Sequence, residues 1–282
     1  DSGRFILGPN VHALEQEIAA RCGVRYGVGV ASGTDALKIA LQALGVGPGD
    51  EVITTPFTFV ATVEVIAQLG AVPVFADIDP ATFLLDAERV REKVTSKTKA
   101  ILPVHLFGQL ADMESLCAIA DERGLFVLED GAQAIGATRN GRAMGTFGHA
   151  ATLSFFPTKN LGAMGDGGMI VTDDERIYRH CLALRMHGMP EGDYMYREIG
   201  YASRLDEIQA AVLRVKHERL DAWNRRRVRN ADIYFELLGD TDVVLPVTLE
   251  GNSHTDHPFT IRHPRRDQLQ DFLKEREVGC GI

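Results

Sequence analysis

No stretch of this sequence is apolar for the roughly 20 residues that a membrane-spanning helix requires. Its opening residues, Asp1 to Gly8, also lack the charged start and apolar run of a secretory leader, so a cytoplasmic chain with no membrane partner is expected. Cysteine is scarce. Cys22, Cys117, Cys181 and Cys280 lie far apart with no C-x-x-C pair, which points to free thiols in a reducing compartment. An excess of basic charge is missing as well: 30 Lys and Arg face 39 Asp and Glu, a net charge of −9. That balance disfavours a nucleic-acid partner but leaves room for local anion sites. The run Arg225 to Arg229 accordingly reads as a solvated helix face. His254, His257 and His263 have no cysteine or acidic partner at familiar ligand spacing, so no metal is expected. Internal repeats and low-complexity tracts are absent too.

What is present is alternation. Strand-like segments at 26–30, 51–54, 72–76, 100–105 and 125–128 are interleaved with helical periodicity at 34–44, 61–69 and 113–123. Repeated βα units of this kind predict an α/β fold with a mainly parallel central sheet flanked by helices. Ligands of such sheets bind beyond the carboxyl ends of the strands. From 205 to 238 the pattern becomes long, charged and amphipathic, as in one or two helices leaving the main body. A strand at 257–262 and a helix at 266–277 then suggest a second unit. The expected division is a large domain over 1–220, followed by a linking helix and the start of a smaller, truncated C-terminal α/β domain over 221–282.

Three post-strand positions can carry chemistry. Ser32-Gly-Thr-Asp35 opens a helix directly after a strand, and the unpaired N–H groups there can bind a phosphate; the alternative is an ordinary N-cap by Ser32 or Thr34. Asp130 ends a strand, where a buried acid needs a cationic or hydrogen-bonding partner. It reads either as a helix cap or as the counter-ion of a protonated heterocyclic nitrogen. Lys159 sits in SFFPTKNLGAMGDGG (154–168), where the glycines follow the lysine, unlike a P-loop. The aromatic approach to Lys159 suggests burial, which would lower its pKa and free the amine for Schiff-base formation; a surface lysine is the alternative. Ser154 could serve the same phosphate as the Thr34 turn, and Phe59 could stack on a ring or simply belong to the core. Together these residues sketch a site for pyridoxal 5′-phosphate: an anion cradle, an acid for the ring nitrogen and an amine for the aldehyde.

The chain also resembles the DegT/DnrJ/StrS-type aminotransferases, fold-type-I pyridoxal-phosphate enzymes acting on nucleotide-linked keto-sugars. The resemblance runs over essentially the whole chain. It rests on GRFILGP (3–9), ASGTDAL (31–37), TPFTFVAT (55–62), FADIDP (75–80), PVHLFGQ (103–109), LEDGAQAIGA (128–137), the lysine segment and YASRLDEIQAAVL (201–213), in that order. It implies that Lys159 carries the cofactor as a Schiff base and shuttles the substrate proton. It further implies that Asp130 pairs with the pyridine nitrogen, that Phe59 stacks on the ring and that Gln133 lies by the phenolic oxygen. Ser154, with the backbone of Thr34 and Asp35, would hold the phosphate. The implied reaction is transamination of a dTDP- or UDP-linked keto-sugar, with the 3-keto position favoured and an amino acid, glutamate in most members, as donor. A homodimer with active sites at its interface is also implied. The alternatives are a non-catalytic cofactor-binding regulator and a related sugar dehydratase; the dehydratase branch carries histidine where this chain has Lys159. His187, in RMHG (185–188), is similar to a family motif near the sugar. One departure concerns the phosphate: where many members carry asparagine to reach the neighbouring subunit's phosphate, this chain has Ala202, which cannot; the alternatives are a contact from Ser203 or a water, or weaker phosphate binding.

Overall fold

The computed structural model describes residues 3–190, 192 and 194–282; the first two residues of the segment read for a leader lie outside them. In chain order the main body comprises α1 (Pro9–Cys22), β1 (Tyr26–Val30), α2 (Gly33–Ala43), β2 (Glu51–Thr54), α3 (Ala61–Gln68) and β3 (Val72–Phe75). It continues with α4 (Ala87–Lys93), β4 (Thr98–Ile101), α5 (Met113–Arg123), β5 (Phe126–Asp130), β6 (Thr138–Arg139) and β7 (Arg142–Ala143). Then come β8 (Ala150–Ser154), β9 (Gly168–Thr172), α6 (Glu175–Arg185) and α7 (Glu207–His217). The elements α8 (Leu220–Leu238), β10 (Asn252–Ser253) and α9 (Arg266–Lys274) follow.

Seven strands form one sheet in the order β1-β9-β8-β5-β4-β2-β3. All neighbours are parallel except that β9 runs antiparallel to both β1 and β8. The mainly parallel, helix-flanked sheet expected from the alternation is therefore present. Its interior strands are largely buried on both faces, as helix-covered parallel strands must be, whereas the edge strand β3 is partly exposed. On one face Val28, Val30, Leu128 and Ile170 pack with Leu37, Ile39 and Leu41 of α2 and with Val65 and Ile66 of α3. On the other, Leu153, Met169 and Val171 meet Leu14 and Ile18 of α1 and Leu213 of α7, while Ile53, Ile101 and Val127 meet Met113, Leu116 and Ile119 of α5.

Local chemistry sets the boundaries. Gly23 (φ 72°) and Gly124 (φ 64°) end α1 and α5 in the left-handed conformation that glycine adopts without strain. Asp86 and Asp174 cap α4 and α6 with their side chains. The fourth strand begins earlier than its apolar run implied, at Thr98, and ends at Ile101, before Pro103, which has no N–H to give a ladder. The 205–238 stretch is two helices. The strand expected at 257–262 is reduced to a single bridge between Val244 and Arg262, because its first residue is engaged elsewhere: the His257 N–H donates to the Phe107 carbonyl at 2.9 Å. The residues leading to that point lie along the 107–110 turn. Gln109 bonds the backbone of both Val247 and Leu249, and β10 adds to β6 to make a three-stranded sheet, β10-β6-β7.

Candidate active site

The parallel strands β1, β2, β4, β5 and β8 deliver their carboxyl ends to one edge of the sheet. Because β9 is antiparallel, its first residue, Gly168, arrives at the same edge opposite Ser154. A cavity of about 390 Å³ opens there. Thr34, Phe59, Asp130, Gln133, Ser154 and Lys159 all line it.

Asp130 is 4% exposed. Its Oδ2 accepts from Thr62 Oγ1 at 2.9 Å and its Oδ1 from the Ala132 N–H at 3.2 Å. Burial pushes this carboxyl above the usual aspartate range, against the pull of those two bonds and of the nearby Lys159 charge. Lys159 is half-buried; burial lowers its amine, with Asp130 opposing the shift. Its Nζ has no hydrogen-bond partner among the described residues. A cation seated against Asp130 would restore that group to its charged form.

The start of α2 is held tightly. Ser32 is the residue that caps it, its Oγ accepting from the Asp35 N–H at 3.0 Å, so the ordinary-cap reading holds for Ser32 rather than Thr34. The Gly33 and Thr34 N–H groups stay free of intrahelical acceptors, as first-turn donors do. A Cβ on Gly33 would lie 2.7 Å from Ser154 Cβ, so only glycine lets the helix start approach the end of β8 this closely. Ser154 Oγ accepts from the Phe156 N–H at 3.3 Å and keeps its own proton to donate. The side chain of Asp35 does not reach the cavity lining. It accepts from Ser203 Oγ at 2.7 Å, and Ser203 Oγ in turn accepts from the Ala31 N–H at 3.1 Å.

Gln133 is oriented by a strained residue. Phe107, at φ 61°, donates its N–H to Gln133 Oε1 at 2.7 Å, which leaves the Gln133 amide nitrogen without a partner among the described residues. Phe59 is 70% exposed at the rim, an unusual position for a large ring in a finished core. His187 is exposed, with φ 62°, and does not line the cavity. Ala202 is exposed beside the bridge it forms with Met186.

Two residues of the site escaped the sequence reading. Thr62, which bonds Asp130 and also Thr58 at 2.9 Å, could have been found from its spacing: Thr58 and Thr62 stand four apart at a helix start just after β2. Asn160 follows the lysine and is buried (6%), and no local pattern signals its partners. Among the described residues no three metal-ligating side chains come together, and no helix is long and apolar enough to cross a membrane.

Comparison with known proteins places the whole arrangement in context. A profile of the DegT/DnrJ/EryC1/StrS aminotransferase family matches residues 1–282. The chain is 55% identical to a pleiotropic regulatory protein of Geobacillus stearothermophilus, over 100% of this chain and 76% of the relative. It is 47% identical, over 100% of this chain and 76% of the relative, to a UDP-N-acetyl-3-dehydro-alpha-D-glucosamine 3-aminotransferase of Acidithiobacillus ferrooxidans. Among solved structures, S. venezuelae DesV in complex with a ketimine intermediate superposes with a TM-score of 0.96 at 43% identity, covering 99% of this chain and 75% of that one.

Proposed function

The chain belongs to the DegT/DnrJ/EryC1/StrS aminotransferase family, and on that ground we propose that it binds pyridoxal 5′-phosphate at this cavity and transaminates a nucleotide-linked keto-sugar. The observation that carries the reading is one cavity lined both by a half-buried lysine, whose amine has no hydrogen-bond partner among the described residues, and by a buried acid whose carboxyl is pushed up by burial. The donor set fits the cofactor. The Gly33 and Thr34 N–H groups with Ser154 Oγ suit its phosphate, the free Gln133 amide its phenolic oxygen, Asp130 its ring nitrogen and Phe59 its ring face.

When bound, pyridoxal phosphate supplies an electrophilic carbon and an electron-accepting ring. Lys159, its amine lowered by burial, would hold the cofactor at that carbon and would take and return the proton at the reacting carbon of the substrate. Asp130 would hold a proton on the ring nitrogen, its carboxylate fixed by Thr62 and the Ala132 N–H. The free side of Gln133 would orient the ring by a hydrogen bond, and Phe59, exposed at the rim, would lie against the ring face. With glutamate as donor, the two half-reactions run in ping-pong order. The relative from Acidithiobacillus acts, by its name, on a UDP-linked 3-keto sugar, which supports a 3-keto acceptor here. The exposure of Phe59 beside the cavity supports a homodimer that covers the site.

The relative named as a regulatory protein raises a second reading, cofactor binding without turnover. The two are separated by assaying a panel of dTDP- and UDP-linked 3- and 4-amino sugars with 2-oxoglutarate. We expect a 3-amino sugar to be deaminated and a visible band at roughly 410–430 nm to bleach with glutamate. A band indifferent to every amino donor would favour the regulator.

A further inference from the structure

Behind Lys159 lies a buried polar cluster that the chemistry above does not use. Asn160 Nδ2 donates to Asn224 Oδ1 at 2.9 Å and to the Thr255 carbonyl at 3.3 Å. Asn224 is itself oriented, since its Nδ2 donates to the Ile135 carbonyl at 3.0 Å. With its N–H groups so engaged, Asn160 must accept at Oδ1, and there it meets His257 Nδ1 at 2.8 Å. His257 Nδ1 therefore carries the hydrogen, and Nε2 is the nitrogen that titrates. Burial pushes His257 down to about 4, and the Lys159 and Arg227 cations act in the same direction, so the ring is neutral near pH 7. The residue is also pinned through its backbone: its N–H donates to the Phe107 carbonyl at 2.9 Å, and its carbonyl accepts from Arg227 Nη1 at 3.0 Å.

Lys159 needs such support. Its amine hangs on a flexible four-carbon stem with no hydrogen-bond partner among the described residues, so its position follows from the peptide that carries it. On one side that peptide is held by the Lys159 N–H, which donates to the Phe156 carbonyl at 2.9 Å. On the other side the Asn160 cluster holds it, joining α8 and the returning segment at 255–257. We propose that His257 is a positioning residue for Lys159, acting through the Asn160 side chain to fix the lysine-bearing peptide. A neutral donor suits the place, because a cationic one would repel the lysine when it is charged. This inference rests on the reading of Lys159 as the reacting amine.

The test uses protein loaded with pyridoxal phosphate. His257→Leu should lower kcat by about 100-fold, the loss that a misplacement of about 1 Å brings. The KM for glutamate should stay within about 3-fold, as expected when only transition-state geometry suffers. The visible band of the loaded, substrate-free protein should weaken or shift. His257→Asn keeps a donor for Asn160 and should recover most of both signals. Asn160→Ala should match His257→Leu, and the double variant should be no worse than the poorer single one. Additive losses, no recovery in His257→Asn, or an unchanged band and kcat in His257→Leu would overturn the proposal. If His257→Leu does not fold, Asn160→Ala decides on the same two signals. A wild-type protein that forms no band at all would sink the Lys159 reading, and this proposal with it.

Discussion

Glu129 and Asp130 are consecutive acids on one strand, and the sheet sends them to opposite faces and opposite fates. Glu129, fully buried, has its carboxylate saturated: Oε2 meets His105 Nε2 at 2.8 Å, and Oε1 accepts from the Gly145 and Gly148 N–H groups at 2.9 and 2.8 Å. His105 Nδ1 accepts from the Ala111 N–H at 3.2 Å, so Nε2 carries the hydrogen that Glu129 receives. Asp130 faces the cavity with two donors and with its ionisation penalised by burial. One acid is complete within the fold. The other is left wanting a cation, and that want is what a ligand can use.

Three substitutions would break or sharpen this contrast. The largest effect belongs to the cavity side: Lys159→Ala should abolish turnover and the visible band, and turnover at the wild-type rate would refute the assigned role. Next comes Asp130→Asn, which should retain cofactor but slow proton removal from the substrate by about 100-fold, within the range of a lost electrostatic partner; single-turnover kinetics measure it. The same variant should stabilise the cofactor-free protein at neutral pH. Asp130 is raised in the folded state, so the stability tied to it is fully present below its unfolded value and is lost as pH rises through the folded one. The gain in melting temperature should therefore vanish toward about pH 4. The smallest effect on rate should come from Glu129→Gln. Its amide would face the His105 Nε2 hydrogen, donor against donor, and denaturation of the cofactor-free protein should show a loss of about 1–3 kcal/mol. A kcat that fell as far as in Asp130→Asn would erase the distinction between the two acids.

The sequence showed the helix-covered sheet because burial on both faces leaves apolar runs between turn residues, and the helix at 113–123 emerged with the limits it has in the structure. Alternation says nothing of strand direction, however, and β9, reversed between β1 and β8, was invisible to it. The cavity residues on strand ends and turns, Asp130, Ser154 and Lys159, were legible because their chemistry is local to a post-strand position. Asp35 was expected at the phosphate through its backbone alone; that its carboxylate binds Ser203 was not legible, since no nearby residue announces the partner. His257 was weighed only as a metal ligand. What it touches, Asn160, lies 97 positions away and meets it only in the fold.

The reversal of β9 has one more consequence. Lys159 hangs on the closed end of a hairpin whose limbs, β8 and β9, both lie inside the sheet, with Ser154 opposite Gly168 at its neck. A lysine on an ordinary surface loop can drift whenever that loop frays. Here both ends of the connection, Ser154 and Gly168, are fixed in interior strands, so with the Asn160 contacts in place the largest excursions of the amine require the sheet itself to open, and heat should extinguish the chemistry and the fold together.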